Sequence, residues 1–186
     1  MRVVIFFATR EGHTCRVAEH IADALRDRDV AVDLVDVRQL HEPVDWAGYQ
    51  AACVAASVHI GRHEPEMIAF VRQHRSELVR LAAAFISVTL SQAGAQNVHS
   101  TADKRSAAAA DVQRMIHRFV AETGWQPAHV LPVAGALMYR RYNPLVRFVM
   151  KRIARQAGAP TDSSRNYDFT DWPAVDRFVE RVLLPA

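Results

Sequence analysis

Short apolar runs alternate with amphipathic stretches along this chain, and the alternation begins at its second residue. Arg2-Val3-Val4-Ile5-Phe6-Phe7-Ala8 is β-branched and aromatic, the composition of a buried strand. A polar turn follows, Thr9-Arg10-Glu11-Gly12-His13-Thr14. Val17, Ala18, Ile21, Ala22 and Leu25 then recur at i, i+3, i+4 spacing, which predicts a helix. Further strands are predicted over residues 30–37, 51–57, 83–90 and 129–133. One helix is predicted over 65–81, with Met67, Phe70, Val71, His74 and Leu78 on one face. Another spans 102–123, carries Val112, Met115, Ile116, Phe119 and Val120 inward and stops at Gly124. Thr170-Asp171-Trp172-Pro173 opens a last helix with a cap and an early proline, ahead of Val175, Phe178, Val179 and Val182. Residues 91–101 are small and polar and read as a loop.

Apolar strands separated by helices imply a parallel sheet covered on both faces. The expected class is α/β: a doubly wound, five-stranded parallel sheet of order 2-1-3-4-5. In that topology a ligand lies outside the carboxyl ends of the strands, beside strand 1. The loops after strands 1, 3 and 4 converge there.

Composition narrows the class further. A length of 186 residues fits one domain, 1–186, able to bury a real core. The two cysteines, Cys15 on the first helix and Cys53 inside a strand, suit a reducing compartment and make neither a disulfide nor a zinc site. Met1 leads straight into the first strand, without a basic or long apolar leader, and no run is long enough to span a membrane. A cytoplasmic location is therefore expected. Net charge is only +3, but it is unevenly spread: no Asp or Glu occurs from Gly124 through Thr161, where Arg140, Arg141, Arg147, Lys151, Arg152 and Arg155 lie.

The first turn carries the chemistry. Strand, tight turn and helix present unpaired backbone N–H groups at the positive end of a helix dipole. Thr9 and Thr14 add hydroxyls, and Gly12 lets the backbone approach a ligand closely. That arrangement suits a phosphate monoester. It is not a Walker loop, having no Lys-Ser/Thr pair after a glycine, and its single glycine is not the dinucleotide fingerprint. A flat ring bound beyond the phosphate needs apolar walls and a few polar contacts. Ser57, Val58, His59, Ile60 and Gly61 after strand 3 offer one wall, and Thr89, Leu90, Ser91 and Gln92 after strand 4 the other edge. His59 and His63 invite an acid/base reading, against the plainer one of loop residues at the solvent edge. Arg62 invites a carboxylate, against the plainer one of a solvated side chain. No spacing reads as a metal site.

A segment too long for a simple connection, about 138–160, separates the fifth strand from the last helix. Asn143-Pro144 sets a helix start over 144–155. Leu145, Val146, Phe148, Val149, Met150 and Ile153 share one face, with Arg147, Lys151 and Arg155 opposite. This basic amphipathic helix suits an anionic lipid surface, or an anionic and partly apolar ligand. No further basic stripe points to nucleic acid. The Tyr139-Arg140-Arg141-Tyr142 cluster precedes it, and its arginines match carboxylate geometry.

Thr9, Gly12 and Thr14 resemble the last fixed positions of the flavodoxin phosphate loop, with Glu11 in place of the usual threonine. Thr-Arg-Glu-Gly-x-Thr, Ala56-Ser57, Gly135-Ala136-Leu137-x-Tyr139-x-x-Tyr142, Arg147-Phe148, Thr161-Asp162 and Thr170-Asp171-Trp172 together resemble one branch, the menaquinone-dependent protoporphyrinogen IX dehydrogenases. The resemblance covers nearly the whole chain. The 91–101 segment, neutral apart from His99, is less basic than that branch's pattern. What the resemblance implies is a flavodoxin-like fold with FMN on Thr9–Thr14, and oxidation of protoporphyrinogen IX with electrons passed to membrane quinone in heme biosynthesis. It also implies a peripheral position at the inner face of the cell membrane. Tyr139, Arg140, Arg141 and Tyr142 are then the expected substrate contacts. Three other readings share the fold: a flavodoxin electron carrier, an NAD(P)H:quinone reductase, and a cofactor-free interaction protein. Oligomerisation is compatible with each.

Overall fold

Strand β1 (Arg2–Ala8) lies at the centre of a parallel sheet and decides how both faces are filled. Its odd residues Val3, Ile5 and Phe7 enter one apolar cluster, and its even residues Val4, Phe6 and Ala8 enter another. A strand buried on both faces has no reason to alternate polar with apolar, hence the unbroken apolar run. This structure is a computed structural model and describes residues 1–156 and 161–184, with side chains for all of these but 149, 150, 153, 155 and 156.

The other long strands are β2 (Ala31–Asp36), β3 (Ala51–His59), β5 (Ala84–Thr89) and β6 (His129–Ala134), all parallel, in the order β2-β1-β3-β5-β6. This is the predicted doubly wound order. Helix α1 (His13–Arg26) covers the odd face together with α7 (Trp172–Phe178) and the π-helical turn Val179–Leu183 that continues it. Asp171 caps α7, accepting from the Ala174 amide at 3.0 Å. The even face is covered by α2 (Pro65–Gln73), α3 (Arg75–Arg80) and α5 (Ala102–Thr123). Gly124 ends α5 in the left-handed conformation, φ 66°, as its position predicts.

Three local expectations change in the sheet and its connections. The helix expected over 65–81 breaks at His74 (φ −110°, ψ 24°), whose ring turns onto Phe70 and Trp46 at 4.7 and 5.2 Å. Strand β3 runs on to His59 and folds back through β4 (Arg62–His63), so the loop after the third strand is a tight hairpin. Its two central residues, Ile60 and Gly61, both have positive φ, 48° and 70°, as a primed hairpin turn requires. The segment expected as a loop after the fourth long strand opens instead with helix α4 (Leu90–Gln96), capped by Thr89 accepting from the Ser91 amide at 3.2 Å. Small residues that look loop-like in sequence allow close helix packing here: a Cβ at Gly94 would stand 3.3 Å from Ala108 Cβ on α5. The 107–110 alanine run supplies the matching smooth surface.

The expected insertion contains a short antiparallel pair, β7 (Ala136–Leu137) with β8 (Tyr167–Asp168), and helix α6 (Pro144–Gln156). Asn143 caps α6, accepting from the Val146 amide at 2.8 Å. Leu137, Met138, Tyr139, Tyr142 and Ala154 form a small core of their own. Leu145 and Phe148 point away from it and are 73% and 68% exposed. Arg147, expected on the solvent face, turns inward: its Nε donates to the Tyr139 carbonyl and its Nη2 to the Tyr142 carbonyl, both at 3.1 Å. The side chains of Val149, Met150, Ile153 and Arg155, also assigned to faces of this helix from sequence, lie outside the described residues.

Candidate functional site

Residues 9–12 join the carboxyl end of β1 to the first turn of α1. Thr9 Oγ1 accepts from the Gly12 amide at 2.9 Å and closes the turn. Gly12 has φ 86°, a backbone region open to glycine at little cost. Nothing caps α1 with a side chain, so its first amides remain available to a ligand. Two buried side-chain atoms at this helix start have no hydrogen-bond partner: Thr14 Oγ1 and His13 Nδ1. His13 Nε2 bonds Thr170 Oγ1 at 2.9 Å, and burial lowers the His13 pKa. An unpaired hydroxyl buried at a helix N-terminus costs stability unless an anion or water completes it.

This turn opens on a cavity of about 1090 Å³ at the carboxyl ends of the strands. Thr9, Arg10, Glu11, His13 and Thr14 line it from the first loop, Ser57 to Gly61 from the hairpin, and Thr89, Leu90 and Ser91 from the start of α4. Gly12 belongs to the turn without facing the cavity, and Gln92 does not line it. Ile60 stands at the rim in an uncommon left-handed conformation for a β-branched residue and is fully exposed. An apolar side chain held out in this way suits a flat ring.

Beneath the hairpin lies a carboxylate that sequence reading passed over. Glu64 is fully buried, yet it meets Arg10 Nε at 2.9 Å, accepts from Ser57 Oγ at 3.0 Å and stands 3.3 Å from His59 Nε2. Glu11 Oε2 approaches the same His59 nitrogen at 3.2 Å. The bond to Glu11 raises the His59 pKa against the opposing effect of burial, with the Glu11 and Glu64 charges adding to it. Burial raises the Glu11 pKa, but the bond and charge of His59 outweigh it and leave Glu11 low. His59 thus ties the first loop to the hairpin through two carboxylates. The only sequence signal for Glu64 was its place just before the Pro65 helix start.

His63 is not at the solvent edge. It is buried between Phe85 and Phe119, with ring centroids at 5.3 and 4.9 Å, and its Nε2 is 2.9 Å from Ser87 Oγ. Burial pushes its pKa down to about 4. Arg62 is engaged by Glu122 at 3.0 Å, which also holds Arg118 at 2.9 Å. The far wall of the cavity comes from α5, where Asp111, Arg114, Met115 and Arg118 repeat at helical spacing. Periodicity placed Met115 on the inward face of this helix and gave Asp111, Arg114 and Arg118 no role. From the insertion, Met138, Tyr142, Leu145 and Val146 complete the lining. Tyr139 is fully buried, packed edge-on to Tyr142 and Tyr167, and does not line the cavity. Neither do Arg140 and Arg141. The Arg140 amide bonds Asn166 at 3.0 Å, whereas the Arg141 side chain crosses to the first loop and donates to the Glu11 carbonyl at 2.6 Å.

Residues 4–164 match the family described as flavodoxin domain. The chain is 30% identical over 182 residues to the protoporphyrinogen IX dehydrogenase [quinone] of Escherichia coli strain K12, covering 98% of this chain and 94% of that one. A Leishmania major protein of the same name is 33% identical over 178 residues, covering 95% of this chain and 72% of that one. Among solved structures, the oxidised flavodoxin 1 of Bacillus cereus superposes with a TM-score of 0.46 at 14% identity, covering 97% of this chain and 95% of that one.

Proposed function

The chain belongs to the flavodoxin domain family, and on that premise we propose that it is an FMN-dependent oxidoreductase converting protoporphyrinogen IX to protoporphyrin IX with quinone as acceptor. The observation that carries the cofactor is Thr14 Oγ1, a buried and unpaired hydroxyl at the first turn of α1, opening on the cavity. A phosphate monoester there would complete Thr14 and take the free amides of α1. The substrate rests on near full-length identity to two proteins bearing that name. FMN, when bound, would supply two-electron redox chemistry between porphyrinogen and quinone, and three rounds of it would account for the six electrons and six protons that the macrocycle loses.

The protein's own residues position and enclose. Thr9, Thr14 and the α1 amides hold the phosphate, and the hairpin 57–61 with the 89–91 turn walls the ring. The ion cluster of Arg10, Glu64, Ser57 and His59 holds the first loop and the hairpin in register. The wide end of the cavity, between α5 and α6, suits an apolar macrocycle. Arg114, paired with Asp111, and Arg118, paired with Glu122, stand there beside Tyr142, Leu145 and Val146; propionates of a tetrapyrrole would have to share these cations with their present carboxylate partners. These arginines are better placed for the carboxylates than Arg140, which is exposed and off the lining.

Peripheral attachment to an anionic membrane belongs to the same proposal. Leu145 and Phe148 are exposed apolar residues on a helix that also carries Lys151 and Arg152, the composition of an interfacial helix. Among the described residues no helix is long and apolar enough to cross a membrane. The test of function is anaerobic incubation of the flavin-loaded protein with protoporphyrinogen IX and a menaquinone analogue, following porphyrin fluorescence. Porphyrin should appear with quinone and not without it. Turnover of NADPH and quinone without porphyrinogen oxidation would replace this reading by that of an NAD(P)H:quinone reductase.

A further inference from the structure

Arg141 reaches back across 130 residues of sequence to lie against the first loop, its Nη1 donating to the Glu11 carbonyl at 2.6 Å. A side chain at Gly12 would run into that guanidinium. The missing Cβ therefore serves two ends: it permits the φ of 86° and makes room for the arginine. Arg141 also lies near enough to Cys15, on the first turn of α1, to favour its thiolate, although burial and Glu19 push that pKa up to about 11. A permanent cation thus stands at the helix start where Thr14 Oγ1 and His13 Nδ1 are buried without partners.

Its place is not where the sequence pattern put it. Arg141 and Arg140 look like a pair for one anionic ligand, yet Arg141 leaves the insertion to join the first loop. The Met138 carbonyl accepts from the Arg141 amide at 2.8 Å, and Arg147 clamps the carbonyls of Tyr139 and Tyr142 at 3.1 Å, so the turn that aims Arg141 is held on both sides. A guanidinium carries five N–H donors, and the Glu11 bond uses one.

We propose that Arg141, which lies against the first loop and off the cavity lining, is a positioning residue that adds its charge to the FMN phosphate site from behind the Glu11-Gly12 turn, and that the insertion thereby takes part in holding the cofactor. This rests on the FMN part of the function proposed above and not on the identity of the organic substrate. A helix N-terminus, threonine hydroxyls and amides bind phosphate with partial charges only. A guanidinium adds a full charge, which strengthens the attraction and makes it depend on salt.

Riboflavin, which has the ring and lacks the phosphate, isolates the effect. The full chain, freed of flavin, is titrated with FMN and with riboflavin by quenching of flavin fluorescence, for the wild type, Arg141→Ala and Arg141→Lys. The expected result is an FMN Kd raised about tenfold or more in Arg141→Ala at low salt, with riboflavin unchanged. Arg141→Lys should recover part of the loss, and added salt should shrink the gap between wild type and Arg141→Ala. Equal loss of FMN and riboflavin affinity would mean that Arg141 only shapes the loop, and would overturn the proposal. Unchanged FMN affinity in Arg141→Ala would overturn it as well. A wild type that binds FMN no better than riboflavin would remove both this inference and the cofactor assignment beneath it. Porphyrinogen turnover is not read in this titration, so the substrate assignment stands or falls separately.

Discussion

Replacing His63 with phenylalanine should flatten the acid limb of the protein's stability curve. The wild-type imidazole is 2% exposed, packed at a steep angle against Phe85 and Phe119, and its pKa falls from an ordinary 6.5 to about 4 because burial disfavours the charged ring. The unfolded chain therefore takes up a proton below about pH 6.5 that the native state refuses until about pH 4. Between those values stability falls with decreasing pH, at about 1.4 kcal/mol per pH unit, and the loss reaches about 3 kcal/mol before the native state also protonates. Phenylalanine fits an aromatic site and has no proton to bind. It leaves the Ser87 hydroxyl without its partner, a uniform cost of about 1–3 kcal/mol at every pH, which His63→Phe with Ser87→Ala should reduce. Urea denaturation from pH 7.5 down to 4 separates the two effects, because the Ser87 penalty shifts the whole curve and the titration changes its slope. The measured quantity is the difference in slope between wild type and the double variant. Parallel curves would show that His63 does not resist protonation, and would refute the reasoning from burial.

Thr14→Val should weaken FMN binding by about 1–3 kcal/mol with riboflavin affected much less, measured by the same fluorescence titration, since the hydroxyl is the unpaired group at the helix start. His59→Ala should cost about 1 kcal/mol of stability near pH 6 and progressively less as the pH rises. Its folded pKa is raised, so its contribution is present below pH 6.5 and lost as pH climbs through the folded value; an equal cost at pH 6 and pH 9 in thermal melts would count against the ion cluster. Glu64→Gln should loosen the first loop and hairpin together, read as faster hydrogen exchange at both 9–14 and 57–63, because Arg10, Ser57 and His59 all meet that buried carboxylate. The protein should sediment with anionic vesicles at low salt, and Phe148→Asp should abolish this without altering the far-UV spectrum, because Phe148 is exposed.

Much of the fold was legible from local pattern. The strands of a doubly wound sheet are buried on both faces, so β1 stands out as an unbroken apolar run, and β3 and β5 as apolar runs with a single serine each, without reference to any partner. Capping chemistry is equally local, and Asn143-Pro144, Asp171 and Gly124 mark helix ends where the chain places them. The geometry of the first loop was readable for the same reason, since Thr9, Gly12 and Thr14 shape it as neighbours in sequence. What tertiary structure alone decided concerns residues whose partners are distant. The α4 helix depends on Gly94 and Ala108 fitting closely, and small polar residues carry no sign of that in themselves. His63 and Glu64 are adjacent in sequence, yet one enters an aromatic core and the other an ion cluster, because successive residues near a strand end face opposite sides. Arg140 and Arg141 look interchangeable, and only the turn clamped by Arg147 sends one to the first loop and leaves the other in solvent. Hydrophobic periodicity reports which face of an element is buried; it carries no information on which long, charged side chain will meet a carbonyl more than a hundred residues away, since that depends on how separate elements pack in space.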